Sequence, residues 1–262
     1  MKKTAFITGA SSGIGSALAL ELTGQGYRLA LAARRESALA ELAAHVRQRG
    51  GEALTLACDV QNPAQVEQAI ATTLAHYDRI DLAILSAGIG RPTEPLKFNA
   101  AALVDMTATN YFGVAYCLEH LIPALLKQQP QGGTIAVLSS LAGDRGMPGF
   151  SGYGATKAAL NALCDGLRAQ LARERIRLVT VAPGYVRTPM TAHNPVMPFL
   201  MEADAAARLI LRRIERGDRL IRFPLVPSLF MRLMKWLPVS LFDAILGKRQ
   251  PVRINKPESD PQ

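Results

Sequence analysis

Residues 3–15 of the chain read KTAFITGASSGIG, a short apolar run that leads directly into a glycine-rich loop. After the loop, apolar residues recur at helical spacing up to Leu22. Strand, glycine loop and helix in this order suit a dinucleotide pyrophosphate, because glycines allow close backbone approach and the helix N-terminus supplies amide donors. In this context we favour a dinucleotide site over an ordinary tight turn. The loop residues expected to contact the cofactor are Gly9, Ser11, Ser12, Gly13, Ile14 and Gly15.

Strand and helix patterns alternate along the rest of the chain. Further strands are predicted at 27–33, 52–57, 80–85, 134–139 and 177–182, with a last one within 219–224; helices are predicted at 63–77, 101–128 and 151–173. This alternation predicts an α/β fold, a Rossmann-type doubly wound parallel sheet with ligands at the carboxyl ends of the strands. We expect a single domain, residues 1–224, followed by a C-terminal helical extension, residues 225–262.

Composition excludes several classes of protein. Hydrophobic residues make up 49% of the 262 residues and charged residues 19%, which is enough apolar side chain for a folded core. Three scattered cysteines and four isolated histidines show no disulfide or ligand spacing, so we expect no metal site and a reducing, cytoplasmic location. No apolar run reaches the roughly 18 residues of a membrane-spanning helix. The apolar run at the start breaks at Thr8, which argues against a signal peptide.

The positive charge is concentrated near the end of the chain. Formal net charge is +9, and from Arg208 onward 12 Lys/Arg stand against 5 Asp/Glu. The preceding part is therefore almost neutral, whereas a nucleic-acid-binding protein would carry its basic residues over a broad face. We expect no nucleic-acid partner.

The second predicted strand ends in Arg34 and Arg35. An acidic residue at this corner would bind the adenosine ribose of NAD(H), whereas arginine pairs with a 2′-phosphate. The pair therefore favours NADP(H), with NAD(H) less favoured; the alternative is a solvated basic pair that opens a surface helix. Later strand ends supply Asp59 and Val60 near an adenine amino group, and the small residues Ala87 and Gly88 near a ribose.

Tyr153 and Lys157 lie four residues apart in a helix pattern, so they share one helix face. An ammonium beside a phenol favours the phenolate and is expected to lower the tyrosine pKa, which suits proton transfer. Ser140, which follows the strand at 134–139, could donate a hydrogen bond to a substrate oxygen. The alternative for the pair alone is an exposed helix turn.

Taken together, these motifs resemble the short-chain dehydrogenase/reductase family over residues 3–223. The motifs that carry the resemblance are Thr8-Gly9-x3-Gly13-x-Gly15, Asp59, Asn110, Ser140, Tyr153-x3-Lys157 and Pro183-Gly184. The resemblance implies that Tyr153 transfers the hydroxyl proton while Lys157 lowers its pKa and binds the nicotinamide ribose. It further implies that Ser140 polarises the carbonyl and that Asn110 holds a water in a proton relay to Lys157.

The resemblance also places the nicotinamide and suggests an assembly. Pro183, Gly184, Val186 and Thr188 would lie around the nicotinamide, and the family default is a homodimer or homotetramer. Ser140 is preferred to Ser139 because it begins the family-like Ser-Leu-Ala-Gly turn. One departure is Ser86, where the family usually has asparagine; we expect this change to affect rigidity more than chemistry.

Two stretches lie outside the family pattern. Residues 191–200 should form a substrate lid, and Met197, Phe199 and Leu200 indicate an apolar substrate; His193 is assigned to the loop surface. In the extension, apolar residues recur at helical spacing with Arg232 and Lys235 toward the other side. These apolar residues are Leu229, Phe230, Leu233, Trp236 and Leu237.

The extension admits two interpretations. Its apolar stripe could pack over the cleft or a subunit interface, or residues 225–249 could make peripheral contact with the inner face of a membrane, as basic amphipathic helices with tryptophan do. The polar segment 251–262 is expected to fray.

The sequence therefore predicts an NADP(H)-dependent oxidoreductase that interconverts a secondary alcohol and a ketone or aldehyde carbonyl. We expect a reductase for an apolar or lipid-like small-molecule substrate. The competing hypothesis is a non-enzymatic dinucleotide-sensing module on the same fold. A complete Ser-Tyr-Lys-Asn set favours the enzyme.

Overall fold

The computed structural model describes residues 2–192, 194 and 196–246. Within them lies a seven-stranded, fully parallel sheet with the order β3-β2-β1-β4-β5-β6-β7. The strands are β1 (Thr4–Thr8), β2 (Arg28–Ala33), β3 (Glu52–Ala57), β4 (Leu82–Leu85), β5 (Gly133–Leu138), β6 (Ile176–Pro183) and β7 (Leu220–Phe223). The predicted fold class, a Rossmann-type parallel sheet, is confirmed.

Helices cover both faces of this sheet. They are α1 (Gly13–Gly24), α2 (Glu36–Gln48), α3 (Pro63–Tyr77), α4 (Ala100–Thr107), α5 (Gly113–Lys127), α6 (Ser151–Arg173), α7 (Ala203–Glu215), α8 (Leu225–Trp236) and α9 (Val239–Leu246). Helices α1, α2 and α7 share one apolar core, and α3, α5 and α6 share the other. Successive residues of a strand face opposite cores, as Phe6 and Ile7 do, because side chains alternate along a strand.

The strand order reverses beside β1, which pairs with β2 on one side and β4 on the other. In doubly wound folds such a reversal opens a crevice at the carboxyl ends of the strands. Here the backbones come very close: a Cβ added to Gly9 would lie 2.7 Å from Ala87 Cα, and the φ of Gly9 is +65°. Only glycine fits this position without a shift of the neighbouring backbone.

The long helix predicted at 101–128 is divided in the structure. Helix α4 ends at Thr107, a π-helical turn covers Ala108–Phe112, and α5 begins at Gly113. Such turns insert one residue into a helix and are frequent at functional sites. Asn110 lies in this turn and is fully buried.

Helix α8 packs on the body through Ser228, Met231 and Met234. Met231 belongs to a small apolar cluster with Leu141 and Ala182. The predicted stripe lies elsewhere on the helix and is mostly exposed: Leu229 55%, Phe230 51%, Leu233 64% and Trp236 82%. The extension therefore packs on the body, but the predicted stripe does not form the packed face.

Polar contacts anchor α8 and the residue after it to the loop after β5. The Arg222 guanidinium forms a two-point ion pair with Asp144, whose side chain is 6% exposed, and its Nε donates to Ser228 Oγ at 2.9 Å. Arg145 Nη1 donates to the carbonyl oxygens of Met234 at 2.7 Å and Leu237 at 2.5 Å. These contacts fix the orientation of α8.

No helix in the described ranges is long and apolar enough to cross a bilayer.

Candidate active site

A cleft of about 340 Å³ lies at the carboxyl edge of the sheet, where the segments that follow β1 and β4 leave it in different directions. It contains all the side chains and glycines that the sequence predicts for the cofactor. These are Gly9, Ser11, Ser12, Gly13, Ile14, Gly15, Arg34, Arg35, Asp59, Val60, Ala87, Gly88, Tyr153, Lys157, Pro183, Gly184, Val186 and Thr188. Ser140 also lines the cleft, whereas Asn110 lies behind its wall.

The glycine positions of the loop are too tightly packed for side chains. A Cβ on Gly13 would lie 3.0 Å from Thr188 Cγ2, and one on Gly15 would lie 2.4 Å from the carbonyl oxygen of Gly9. Helix α1 starts at this loop, and its N-cap residue Ser12 makes no side-chain cap hydrogen bond. The first-turn amides therefore remain available, and such amides are suited to an anionic group.

The two arginines after β2 have different surroundings. Arg35 Nη2 donates to Ser12 Oγ at 2.8 Å and Ser11 Oγ at 3.1 Å, so its charge lies against the glycine loop. Arg34 Nη1 is 3.8 Å from Asp59 Oδ2, and both side chains are partly solvated. Arg35, backed by two hydroxyls, is therefore the better placed of the two for a phosphate.

Helix α6 presents Tyr153 and Lys157 to the cleft on one face, as their spacing predicts. Lys157 is 4% exposed, and its Nζ lies 5.7 Å from the Tyr153 ring centroid. The same Nζ donates to the Leu138 carbonyl oxygen at 2.7 Å, where β5 ends. The lysine thus bridges the end of the central sheet and the tyrosine helix.

Burial determines the protonation of this pair. It raises the pKa of Tyr153 to about 12, against the opposing effect of a hydrogen bond with Ser140. It also lowers the pKa of Lys157 to about 8. The expected lowering of the tyrosine pKa by lysine is wrong for this structure, because removal of the phenolate from water outweighs the other contributions. The arrangement instead keeps a neutral phenol that can donate its proton.

The adjacent serines differ in what they contact. Ser139 is 3% exposed, and its Oγ lies 2.6 Å from Asn161 Oδ1 and 3.2 Å from the Lys157 carbonyl oxygen. Ser140 Oγ accepts from the Ala142 amide at 3.1 Å and shares the hydrogen bond with Tyr153 noted above. Ser140 is therefore the serine oriented toward the phenol.

Asn110 connects the loop after β4 to the tyrosine helix. Its Nδ2 donates to the Ile89 carbonyl oxygen at 2.9 Å and to Thr156 Oγ1 at 3.0 Å, and its Oδ1 accepts from the Ile89 amide at 2.8 Å. The side-chain amide is thus engaged by protein groups. A relay water at this residue would have to use the Asn110 Oδ1 or its backbone, because both Nδ2 hydrogens are occupied.

The family model described as short chain dehydrogenase matches residues 3–197. The chain belongs to the short-chain dehydrogenase/reductase family. It is therefore an oxidoreductase on a Rossmann-type nucleotide-binding fold.

Three curated relatives of this short-chain dehydrogenase illustrate the similarity. An uncharacterised oxidoreductase of Myxococcus xanthus is 34% identical over 92% of this chain and 95% of its own. A 3-oxoacyl-[acyl-carrier-protein] reductase of Synechocystis is 34% identical over 76% of this chain and 81% of its own. A fatty acyl-CoA reductase of Acinetobacter baylyi is 31% identical over 83% of this chain and 75% of its own.

Solved structures share the fold. A short-chain dehydrogenase/reductase from Burkholderia phymatum, in complex with NAD, superposes with a TM-score of 0.83 at 24% identity, covering 97% of this chain and 98% of its own. An alcohol dehydrogenase from Thermococcus sibiricus, complexed with 5-hydroxy-NADP, gives a TM-score of 0.76 at 28% identity. The superposition covers 85% of this chain and 95% of that one.

Sequence reasoning did not assign some residues that shape the cleft of this dehydrogenase. Thr8 Oγ1 accepts from the amides of Ser86 at 3.1 Å and Ala87 at 3.2 Å, which joins the ends of β1 and β4. Thr191 Oγ1 donates to the Val186 carbonyl oxygen at 2.7 Å. The structural role of Thr8 could have been predicted from its position just before the first loop glycine. The role of Thr191 depends on the folded loop and could not be predicted from the sequence.

The predicted lid is only partly described, and His193 and Pro195 lie outside the described residues. Of the described residues, Phe199 is 57% exposed, Met197 is half-buried, and the preceding Met190 lines the cleft. Met190 is therefore the apolar side chain of this group that lines the cleft, and Met197 and Phe199 do not line it. In the part of the chain that the structure describes, no three His, Cys, Asp or Glu side chains form a candidate metal site.

The depressed pKa of Lys157 predicts a stability change with pH. Folded Lys157 loses its proton near pH 8, whereas the unfolded residue keeps it to about 10.5. Between these values the unfolded chain binds more protons, so this residue's contribution to stability rises with pH. The free energy of urea unfolding of wild type, relative to Lys157→Met, should be flat below pH 8 and increase from pH 8 to 10. A difference that falls over that interval would contradict the assigned pKa.

Proposed function

We propose that this short-chain dehydrogenase is an NADP(H)-dependent reductase that interconverts a ketone or aldehyde carbonyl and the corresponding alcohol. The observation that carries the proposal is the convergence of Ser140, Tyr153 and Lys157 on the cleft that also contains the glycine loop and Arg35. Each group has a distinct chemical capacity, and all of them face one space. If Tyr153 and Lys157 were only an exposed helix turn, they would not share a cleft with Ser140 and the glycine loop.

The cleft residues fit a dinucleotide. The amides of the glycine loop would bind the pyrophosphate, and Arg35 with Ser11 would bind the 2′-phosphate. Asp59 and Val60 would lie at the adenine, Ala87 and Gly88 at a ribose, and Pro183, Gly184, Val186 and Thr188 at the nicotinamide. When bound, the cofactor supplies or accepts the hydride.

The protein groups supply the proton. Tyr153 is held neutral by burial, so its hydroxyl can donate a proton to the substrate oxygen as the carbonyl carbon is reduced. Ser140 Oγ would donate a hydrogen bond to the same oxygen and hold it beside the phenol. Lys157, with a pKa near 8, can exchange a proton close to neutral pH and would also bind the nicotinamide ribose. Asn110 braces this arrangement from behind the cleft wall.

We propose an apolar or lipid-like substrate. Met190 lines the cleft and is 45% exposed, so its apolar side chain could cover an acyl or similar chain; Phe199 in the predicted lid is also exposed. Two relatives are named for acyl substrates, 3-oxoacyl-[acyl-carrier-protein] and fatty acyl-CoA. Both observations favour a carbonyl on an aliphatic chain over a sugar-like substrate.

The activity is tested with NADPH and a series of carbonyl compounds of increasing chain length. We expect turnover that rises with chain length, and a loss of about 10²–10⁴-fold in kcat for Tyr153→Phe, because the general acid is removed. NADPH affinity should change little. Tyr116→Phe, on α5 outside the cleft lining, is the matched control and should retain activity. NADPH binding without turnover of any compound would support the dinucleotide-sensing module instead.

Cofactor preference is tested by Arg34→Asp combined with Arg35→Ala. Loss of charged hydrogen bonds to the 2′-phosphate should weaken NADPH by roughly 10–100-fold, whereas NADH should be nearly unaffected. Arg35→Ala alone should account for most of the effect, since Arg35 contacts the loop serines. Arg47→Ala, on α2 away from the cleft, is the control, and calorimetry measures both cofactors. Equal losses for NADPH and NADH would show that this corner does not bind the 2′-phosphate.

We further propose that the chain consists of a domain, residues 1–224, and a distinct extension. The protein would be a cytoplasmic homodimer or homotetramer, and residues 225–249 would bind it to the inner face of a membrane. The anchored α8 directs Leu229, Leu233 and Trp236 to solvent, and Arg232 and Lys235 are exposed beside them. Apolar surface with tryptophan and adjacent cations suits an interface with anionic headgroups.

Vesicle co-sedimentation tests the membrane contact. Leu233→Ser with Trp236→Ser should reduce binding to vesicles that contain anionic lipid, since both side chains are exposed and their loss leaves the α8 packing face intact. Leu96→Ser with Phe98→Ser removes similarly exposed apolar groups elsewhere and should leave binding unchanged. If the Leu233→Ser, Trp236→Ser variant binds vesicles as wild type does but has a smaller molar mass in solution, the α8 surface is a subunit interface and not a membrane contact.

A further inference from the structure

A second cavity lies at the opposite edge of the sheet from the cleft, at the amino-terminal end of β6. Its volume is about 220 Å³. Half of the residues around it are arginines, which come from α6, the turn after α6, β6 and the segment before β7. The lining residues are Arg168, Ala172, Arg175, Ile176, Arg177, Leu178, Gly217 and Arg219. We call this cavity the arginine pocket.

Carboxylates neutralise little of the charge in the arginine pocket. Asp165 forms an ion pair with Arg168 Nη1 at 2.7 Å, and the Asp165 side chain is 68% exposed. In the described ranges Arg175, Arg177 and Arg219 form no ion pair, and Asp218, next to Arg219, is bound by Arg213. Three guanidinium charges thus converge on one cavity without a counter-ion from this part of the chain, and their mutual repulsion favours an anion there.

Neutral oxygen atoms hold three of these arginines in place. Arg168 Nη2 donates to Thr180 Oγ1 at 2.8 Å, Arg177 Nε donates to Thr134 Oγ1 at 3.3 Å, and Arg175 Nη1 donates to the Pro130 carbonyl oxygen at 3.1 Å. A neutral acceptor fixes a side chain without cancelling its charge. Each guanidinium has five N–H donors, so most remain available, and Arg168 Nε is buried with no partner in the described chain.

We propose that the arginine pocket is an anion-binding site for a small phosphate-bearing ligand. Guanidinium groups bind phosphate oxygens in a two-point geometry, and every cation that lines the pocket is arginine rather than lysine. The volume is below the roughly 300–1,000 Å³ typical of pockets for drug-sized ligands. A phosphate or pyrophosphate group is therefore a better match than a large organic molecule. This site is separate from the proposed dinucleotide cleft and does not depend on its function.

Calorimetric titration with inorganic pyrophosphate tests the proposal. The wild-type chain is saturated with NADPH first, so that the glycine loop does not contribute. We expect one ion per chain, and a loss of affinity of about tenfold or more in Arg175→Gln with Arg219→Gln. Both side chains are exposed, so the variant should fold, and its thermal unfolding checks this.

Arg212→Gln with Arg216→Gln is the matched control, because it removes the same charge from exposed positions on or just after α7 that do not line the pocket. This control should bind pyrophosphate nearly as wild type does. Equal losses in both double variants would indicate general charge attraction and overturn the site. Binding of a long polyanion without any binding of pyrophosphate would overturn it in favour of a macromolecular surface. If NADPH itself fails to bind, the titration is run without it, and the comparison of the two variants still decides.

Discussion

The contact between the ends of β1 and β4 is the constraint on which the cleft depends. Thr8 accepts the amides that follow β4, and Gly9 approaches Ala87 so closely that a side chain is excluded. Because the strand order reverses here, the two following segments must leave the sheet in different directions. The glycine loop and the loop after β4 therefore form opposite walls of one crevice, and the groups from α6 face into it.

The sequence was sufficient for the sheet, the glycine loop and the cleft lining, because each depends on local patterns at strand ends. The interruption at Asn110 was not predicted, since a π-helical turn barely changes the apolar periodicity of residues 101–128. The raised pKa of Tyr153 was not predicted either, because desolvation depends on the complete tertiary structure. For α8 the strongest apolar stripe was misleading. The orientation of α8 is set by Arg145 and by the Asp144–Arg222 ion pair, and Asp144 and Arg145 are distant from the helix in sequence.

Arginine has three different environments in this dehydrogenase. Arg35 is exposed and held by hydroxyls at the cleft, Arg222 is partly buried and neutralised by a carboxylate, and Arg175 and Arg177 of the arginine pocket are held by neutral oxygens. Surface position alone does not distinguish these cases. The partner of each guanidinium does, because a carboxylate uses up the charge whereas a hydroxyl or carbonyl leaves it available for an anion.

The loop after β5 also bears on how the C-terminal extension of such an enzyme can be exchanged. Arg145, five residues after Ser140, holds the carbonyl oxygens of Met234 and Leu237, so the C-terminal extension rests on the same loop that carries a proposed catalytic hydroxyl. A hydrogen bond from a charged group contributes about 1.5–3 kcal/mol, a sizeable fraction of the stability of a domain. Because these acceptors are backbone carbonyls, a chimera that exchanges the extension must preserve the place where the new helix ends rather than a particular side chain.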